Sequence, residues 1–534
     1  MRSVITRGRL TGVVAAAAAV SLLGVTTIGA SAEPTPDELP TTQGLRKAVT
    51  VSGMQEHLAA LQRIADENGG SRVSGFPAFN QSVDYVEGRL TAAGYDVTVQ
   101  PFAFPFNADA TPPVFNQISP SQATYEDGVD FASMTYSGNG DVTAAITAVD
   151  LVVPPVGVDN GNTSGCEASD FAGFPAGNIA LMQRGTCPFR DKALNAEAAD
   201  AAAVIIFNEG QPGRTAALSG TLSSPGSTIP VVGTSFAIGD DLRNGVNSGA
   251  TGSQARVRVD RVNETRTTYN VLAETPTGDP NNVVVVGAHL DSVPRGPGIN
   301  DNGSGSAGIL EIAEAVAARD IEPRNKLRFA FWGAEEFGLL GSRHYVGQLT
   351  AAEKDAIALN LNFDMIGSPN YVRFVYDGDN SAFPVGPNAA AGPAGSGEIE
   401  RVFHDYFGGV GLESSETPFS GRSDYGPFIA QGIPAGGLFT GAEGVKTAEQ
   451  AAIYGGTAGA QYDHCYHLAC DTIANVNRQA IDEMADAAAH ATLTFARRDF
   501  ARNPLVNPTA PASGTPGTTG GGGLHDEHDH EVAR

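Results

Sequence analysis

Positively charged residues are scarce in this chain of 534 residues. It contains 33 Lys and Arg against 59 Asp and Glu, and its formal net charge at pH 7 is −26. This balance argues against nucleic acid or an anionic membrane as a partner, because both repel an acidic surface. The chain is also too long for one ordinary domain, and 41% of its residues are hydrophobic. These figures predict two domains with their own cores and additional terminal segments.

Long apolar stretches are absent after the N-terminus, so no later segment is predicted to span a membrane. At the N-terminus, Arg2, Arg7 and Arg9 precede the apolar stretch LTGVVAAAAAVSLLGVTTIGA, and the sequence Ala-Ser-Ala ends at Ala32. This order predicts a Sec-type signal peptide at residues 1–32, with cleavage after Ala32 and secretion to the extracellular space. A retained membrane anchor is the alternative. The residue directly after the cleavage site is Glu33 and not a cysteine, which argues against a lipid anchor.

Cysteine is also rare. The four cysteines are Cys166, Cys187, Cys465 and Cys470, and all of them follow the predicted signal peptide. An even number of cysteines in an exported protein predicts two disulfides. Sequence separation favours the pairs Cys166–Cys187 and Cys465–Cys470, although three connectivities are possible. The spacing does not resemble a zinc knuckle.

Changes in composition divide the chain into segments. Residues 33–42 are rich in Pro and Thr and are predicted to be disordered, and helical and strand patterns follow over 43–123. Short β patterns rich in Gly, Ser and Thr fill 124–260. Strands and helices alternate over 261–500, which predicts an α/β domain with a largely parallel sheet. The low-complexity tail at 501–534 is predicted to be disordered.

Imidazole and carboxylate side chains follow three predicted strands of the last domain. The four-valine run in VVVVGAHLDSV predicts a strand buried on both faces, and it leads to His289 and Asp291. The strand pattern of FAFWGAEEFGLLGS leads to Glu335 and Glu336, and that of ALNLNFDMIGS to Asp364. Ligands of open α/β sheets bind at the carboxyl ends of the strands. A neutral imidazole suits a metal such as zinc, and a nearby carboxylate can orient the ring.

Two further segments add candidate ligands. Asp301 lies in the glycine-rich sequence GPGINDNGSGSAG just before a helical pattern, and Tyr466 and His467 lie between Cys465 and Cys470. Glycine lets a backbone approach a site closely. No GK[ST] follows the glycines, so a nucleotide site is not predicted. Two His, three acids and a spare Glu are enough for two metal ions that share one bridging carboxylate.

Six motifs, taken together, resemble a known family. They are AHLDSV, GINDNGSGSAGILE, FWGAEEFGLLGS, NFDMIGS, SGRSDYGPF and CYHLACD, and they look like those of the secreted bacterial leucyl aminopeptidases of the M28 metallopeptidase family. Residues 124–260, with RGTCPFRDKALNAEAADAAAVIIFNEG, resemble a protease-associated (PA) domain inserted as in aminopeptidase Y. The resemblance covers nearly all of residues 45–498. It implies a zinc-exopeptidase fold of the phosphorylase/hydrolase-like type: α/β, with a mixed, largely parallel sheet flanked by helices and an inserted β-rich α+β PA domain.

The same resemblance implies a dinuclear zinc site. Five residues would bind the metals: His289 and Asp364 for one zinc, Glu336 and His467 for the other, and Asp301 as the bridge. Glu335 would be the general base, and Tyr466 would donate to the developing oxyanion. Asp291 would brace His289, and the backbone around Arg422 would line the site near the amino end of the substrate.

Several other polar residues have simpler interpretations. His464 is interpreted as a loop residue, because the motif places the ligand after Tyr466. Asp424 is expected to pack or hydrogen-bond beside the site. A structural Ca²⁺ occurs in some relatives near Asp482 and Asp486, but two acids four residues apart on a helix more often form a solvated face.

The resemblance therefore implies a secreted, monomeric zinc aminopeptidase that acts on the N-termini of peptides or proteins and prefers large apolar residues. A carboxypeptidase of the same family is one alternative, but the sequence offers no clear cluster of Arg for a carboxylate substrate. Glutaminyl cyclisation is a second, disfavoured because that site holds a single metal and five ligands are present here. The third is a non-catalytic binding protein in which the PA domain is the functional part.

Overall fold

The structure is a computed structural model that describes residues 38–155, 161–211 and 214–506. The predicted signal peptide and residues 507–534 of the predicted tail lie outside this range. Among the described residues, no helix combines the length and the apolar composition that a membrane crossing requires.

The described residues form twelve α-helices and fourteen strands. The helices are α1 (Glu38–Arg46), α2 (Val51–Glu67), α3 (Pro77–Ala92), α4 (Phe189–Ala198), α5 (Phe236–Arg243), α6 (Gly305–Ala318), α7 (Leu340–Gln348), α8 (Ala351–Ala356), α9 (Ser396–Gly409), α10 (Gly426–Ile429), α11 (Ala448–Tyr454) and α12 (Arg478–Arg497). The strands are β1 (Asp96–Ser119), β2 (Ala123–Tyr125), β3 (Phe131–Ser133), β4 (Gly140–Ala148), β5 (Ile179–Gln183), β6 (Ala203–Phe207), β7 (Val231–Thr234), β8 (Gly249–Glu274), β9 (Asp279–His289), β10 (Asn325–Trp332), β11 (Ile357–Phe363), β12 (Phe374–Tyr376), β13 (Ser415–Thr417) and β14 (Ala435–Phe439).

The sheet of the peptidase-like part runs in the order β13-β12-β14-β11-β9-β10-β8. Its central strands β14, β11, β9 and β10 are parallel to one another. Valines of β9 are buried on both faces of the sheet. On one face, Val284 and Val286 pack in a core under α2, α3, α6, α9 and α12. On the other face, Val283 and Val285 pack with Trp332 beside α7 and α10. Burial on both faces is the arrangement that the four-valine run predicts.

The inserted part has its own smaller core. Strands β4, β5, β6 and β7 are parallel, with β3 antiparallel at the edge. Helix α4 covers one face through Ala193 and Ala196, and α5 covers the other through Leu242. The Cys166–Cys187 disulfide is present in this part, as sequence separation predicts. The predicted fold class, a mixed and largely parallel α/β sheet with a β-rich inserted domain, is confirmed.

Two long strands connect the two parts. Strands β1 and β8 pair antiparallel from Asp96–Glu274 to Ser119–Gln254, and β8 also pairs with β10 at one end and with β4 at the other. The result is a single 14-stranded sheet. The boundary expected between residues 260 and 261 therefore falls inside β8, because the strand passes from one core to the other without a break.

The predicted disorder at both ends is wrong where the structure describes it. Helix α1 begins at Glu38, inside the 33–42 segment, and the buried Thr42 hydroxyl lies 2.8 Å from His490 Nδ1 of α12. At the other end, Leu505 packs against the peptidase core, and Arg498 Nε donates to the Asn503 carbonyl at 2.8 Å. Contacts with α12 and its C-terminus order these polar segments. Composition alone cannot predict such long-range contacts.

The contact between α1 and α12 predicts a pH-dependent stability. Burial, followed by repulsion from Arg46, lowers the pKa of His490 to about 4. The unfolded chain takes up this proton near pH 6.5, so the stabilisation is complete above about pH 6.5 and is lost as the pH falls towards 4. Between pH 7 and pH 4, we expect the free energy of unfolding to fall by about 1–3 kcal/mol more in the wild type than in His490→Gln. Urea unfolding at both pH values measures the difference, and equal losses in the two proteins would contradict it.

Candidate metal centre

Three adjacent parallel strands bring the predicted residues to one edge of the sheet. His289 is the last residue of β9 and pairs with Trp332 at the end of β10, and Asp364 directly follows β11. Glu335 and Glu336 follow β10 after a short turn. Because the carboxyl ends of parallel strands lie together, these four side chains converge on one pocket.

Two loops complete the group. Asp301 lies in an irregular helical segment, Ile299–Ser304, just before α6, where its φ of −108° and ψ of 92° are non-helical. His467 lies in the loop that the Cys465–Cys470 disulfide closes, and its φ of 59° is left-handed. This disulfide is the second pair that sequence separation favours. The two loops face each other across the strand ends.

The Asp301 carboxylate contacts both imidazoles. Its Oδ1 lies 3.2 Å from His289 Nε2, and its Oδ2 lies 2.9 Å from His467 Nε2. His289 Nε2 is also 3.4 Å from Asp364 Oδ1, and His467 Nε2 is 3.2 Å from Glu336 Oε2. Donors around a tetrahedral zinc with bonds of 2.0–2.1 Å are about 3.3 Å apart. Each imidazole and its carboxylates thus have the spacing of ligands around one ion, and Asp301 belongs to both sets.

The charges of the site also favour cations. Burial raises the pKa of Glu336 to about 7 and raises that of Glu335 well above its usual range, although His467 and His289 oppose these shifts. Burial lowers the pKa of His467, but the carboxylates of Glu336 and Asp301 outweigh it and raise the value to about 10. Glu336 Oε1 and Asp364 Oδ1 are buried without a hydrogen-bond partner. Metal ions would supply the missing partners and the positive charge.

Asp291 contacts both a ligand and the predicted base. Its backbone carbonyl lies 3.2 Å from His289 Nδ1, whereas its carboxylate Oδ1 is 3.7 Å from the same atom. The carboxylate Oδ1 instead accepts a hydrogen bond from the Glu335 backbone N–H at 3.1 Å. Asp291 therefore holds the His289 ring chiefly through its backbone and positions Glu335 through its side chain.

The SGRSDYGPF segment supports the other side of the site. Ser423 Oγ donates to Asp364 Oδ2 at 2.5 Å, and Asn362 Nδ2 donates to Ser423 Oγ at 2.8 Å. Asp424 accepts a hydrogen bond from Ser342, and burial raises its pKa to about 7. Asp424 thus hydrogen-bonds beside the site, as expected from the sequence.

A ring contact and a hydrogen bond position the Tyr466 side chain at the site. Its ring stacks on His467 with 3.7 Å between the centroids, and its hydroxyl accepts a hydrogen bond from Arg422 Nη2 at 3.0 Å. Arg422 also donates from Nη1 to Glu443 Oε1 at 2.6 Å. The side chain of Arg422, and not only the backbone around it, therefore shapes the site.

A pocket of about 280 Å³ opens beside the predicted metal ligands. In addition to the polar residues already described, large apolar and aromatic side chains line it: Met365, Tyr376, Pro418, Phe439 and Tyr462. Such walls fit a large apolar group next to the predicted metal ligands.

Comparisons with known proteins agree with this geometry. Residues 270–492 match the model of peptidase family M28, and residues 147–242 match the PA domain. An aminopeptidase of Pseudomonas aeruginosa is 50% identical over 452 residues, which cover 84% of this chain and 81% of the relative. The chain belongs to peptidase family M28.

Another relative and two solved structures agree. A probable leucine aminopeptidase 2 of Aspergillus oryzae is 40% identical over 512 residues, covering 96% of this chain and 93% of the relative. The structure of an aminopeptidase from Aneurinibacillus sp. strain AM-1 is 27% identical with a TM-score of 0.64, covering 88% of this chain and 98% of that one. The structure of a zinc aminopeptidase from Bacillus subtilis has the same fold. It is 23% identical with a TM-score of 0.58, covering 82% of this chain and 94% of that one. The predicted family and enzyme class, an M28 aminopeptidase, are confirmed, and the family implies zinc.

The sequence analysis does not identify two residues that support the loops of the predicted metal ligands. The Asp471 carboxylate accepts the backbone N–H groups of Asn300 at 2.8 Å and of Asp301 at 3.0 Å, and so fixes the loop of the bridging ligand. Arg72 is fully buried and donates to the carbonyls of Leu290, Pro297 and Gly298. Asp471 ends the CYHLACD motif, which is a sequence signal for its role, whereas no motif surrounds Arg72.

Two further expectations concern residues outside the cluster. His464 is exposed, while His467, three residues later, contacts Asp301. At the possible calcium position, Arg46 Nη1 lies 3.9 Å from Asp486 Oδ2 and already places a positive charge there.

Arg72 predicts a measurable effect on metal retention. Lysine keeps the charge but cannot donate to three carbonyls in a fixed plane, so Arg72→Lys should loosen the loop that links His289 to Asp301. We expect zinc affinity to fall by about 10- to 100-fold, the usual effect of losing an outer-shell partner of a metal ligand. Zinc content after dialysis against graded chelator measures it.

The matched control is Arg373→Lys. Arg373 is also buried, at 6% exposure, and donates to the Glu413 carbonyl and to Glu483. It does not line the metal pocket. Equal zinc retention in the two variants would show that Arg72 has no particular role at the metal centre.

Proposed function

We propose that this M28 enzyme is a secreted dinuclear zinc aminopeptidase that removes large apolar residues from the N-termini of peptides. The observation that supports two metals most directly is the Asp301 carboxylate, whose two oxygens each face a different imidazole. His289 and Asp364 would hold one ion, and Glu336 and His467 the other. Secretion rests on the predicted signal peptide at residues 1–32.

Bound zinc supplies Lewis acidity, which makes water nucleophilic near neutral pH and polarises the scissile carbonyl. Glu335 accepts the proton of the attacking water and transfers it to the leaving amine. Its carboxylate lies 3.8 Å from His289 Nε2, and its backbone is held by Asp291. Both contacts keep the Glu335 carboxylate beside the proposed metal ligands.

Tyr466 stabilises the oxyanion in this proposal. Because its hydroxyl accepts the hydrogen bond from Arg422, its own proton is available to donate towards the reacting carbonyl. The surrounding carboxylates attract the free amino terminus of a peptide. The apolar wall beside them, which includes Met365 and Phe439, would receive the side chain of the N-terminal residue.

The charge of the pocket disfavours a carboxypeptidase. In the described part of the chain, Arg422 is the guanidinium that lines this pocket, and it already pairs with Glu443 at 2.6 Å. A C-terminal carboxylate would therefore approach a site dominated by acids without a dedicated cationic partner.

A pair of substrates tests the aminopeptidase assignment. The wild type should hydrolyse leucine p-nitroanilide and not its N-acetyl form, because acetylation removes the free amine. Activity should disappear on chelation and return when zinc is restored to two ions per chain, measured by elemental analysis. Hydrolysis of the acetylated substrate, or full activity with one zinc per chain, would contradict the proposal.

Glu335→Gln tests the assignment of the base. The amide cannot accept the proton, so kcat should fall by at least about 10²–10⁴-fold while both zinc ions remain bound. Glu449→Gln, which changes an exposed glutamate of α11, is the control and should keep its activity. Near-normal turnover by zinc-loaded Glu335→Gln would show that another group is the base.

A further inference from the structure

A second cavity, of about 530 Å³, lies between the PA domain and the loops of the metal centre. Glu336 borders this cavity and also the metal pocket. The peptidase side of the cavity includes Phe337 and Leu468, each adjacent in sequence to a predicted metal ligand. Residues 107–113 of β1 form part of the opposite side, and six residues of the PA domain add to it: Asp127, Gly128, Ala132, Ser133, Thr135 and Ser219. The cavity thus begins at the metal centre and ends against the PA domain.

Four of the five charged groups in the wall of the second cavity pair with one another, and the fifth is Glu336. Arg295 Nη2 contacts Asp127 Oδ2 at 2.7 Å, and Arg261 Nη1 contacts Asp109 Oδ1 at 3.0 Å. The first pair also joins the loop after Asp291 to the PA domain. Paired charges leave the wall with little net charge to attract an ionic ligand.

The remaining surface of this cavity is largely apolar. Pro112, Pro113, Val293, Pro294 and Phe337 line it, together with Leu468, which is 40% exposed. Leu468 shares this wall with Pro112, Pro294 and Phe337, and a continuous apolar surface, unlike a single exposed leucine, is typical of a binding site.

We propose that this cavity binds the peptide residues that follow the scissile bond, so that the PA domain forms one wall of the binding site for the leaving chain. The proposal rests on the proposed function. If the N-terminal residue occupies the metal pocket, the rest of the peptide must continue past the metal ligands. Glu336 lines both cavities, so a peptide that passes this residue would run from one to the other. The preferred leaving chain is a short, uncharged, apolar segment.

Contacts at this distance from the reacting bond should raise kcat/KM with peptide length. For the wild type, we expect kcat/KM to increase by about tenfold or more from Leu-Ala to Leu-Ala-Val-Leu. Replacing the third residue by aspartate, in Leu-Ala-Asp-Leu, should remove most of this gain. These measurements require no variant.

Ala132→Phe narrows the cavity from the PA side without changing a residue of the metal centre. It should abolish the length dependence and leave hydrolysis of leucine p-nitroanilide within about twofold of the wild type. The control is Ala145→Phe, at an exposed position of β4 in the same domain, which should keep the length dependence.

Three results would overturn the inference. The first is a kcat/KM of the wild type that does not change with peptide length. The second is equal kcat/KM for Leu-Ala-Val-Leu and Leu-Ala-Asp-Leu. The third is a folded Ala132→Phe variant that loses activity equally on all substrates, including leucine p-nitroanilide. The first two leave the aminopeptidase assignment intact. If the wild type cleaves no substrate with a free amine, the proposed function fails, and this inference fails with it.

Discussion

The rest of this structure depends on one constraint, the repulsion among five carboxylates that strand ends and a loop bring to one edge of the sheet. They belong to Asp291, Asp301, Glu335, Glu336 and Asp364. Burial raises the pKa of Glu335 and Glu336. These raised pKa values reflect the free energy that it costs to keep a buried carboxylate ionised. The two imidazoles and the buried guanidinium of Arg72 offset part of this cost. The proposed metal ions would offset the rest, so metal binding and the cohesion of this edge of the fold are coupled.

The position of the PA domain follows from β-pairing rather than from a linker. Strands β1 and β8 run through both cores, so the two parts cannot separate without breaking the ladder between them. The register of this ladder shifts between Asp109 and Thr111 and again between Thr111 and Val114. Such irregularities bend a ribbon. They occur in the stretch that lines the second cavity, where the ribbon passes from the peptidase core to the inserted core.

Sequence patterns predicted the features that depend on local chemistry. The four valines of β9 indicate a strand buried on both faces, and strand ends locate His289, Glu336 and Asp364. Features that depend on distant contacts could not be predicted. Arg72 acts on carbonyls more than 200 residues away in the chain.

The ends of the chain show the same limit. Helix α1 forms where composition indicates disorder, because it packs on α12. The domain boundary expected at residue 260 lies within β8, since a change in composition does not require a break in a strand.

The adjacent acids Glu335 and Glu336 show how one strand end can serve both halves of the site. Consecutive side chains leave the turn in different directions. Glu336 Oε2 lies 3.2 Å from His467 Nε2, whereas Glu335 Oε2 lies 3.8 Å from His289 Nε2. The turn before them places Ala334 at a φ of 53°, a left-handed conformation that is unfavourable for a residue with a Cβ atom.

Two hydrogen bonds hold this strained turn. The Ala334 N–H donates to Ser74 Oγ at 2.7 Å, and the Glu335 N–H donates to Asp291 Oδ1 at 3.1 Å. Ser74 and Arg72 both come from the loop between α2 and α3, outside the stretch that matches the family model. The N-terminal segment therefore acts on both sides of the metal centre: Arg72 fixes the loop that leads to Asp301, and Ser74 fixes the turn that separates the base from the adjacent ligand.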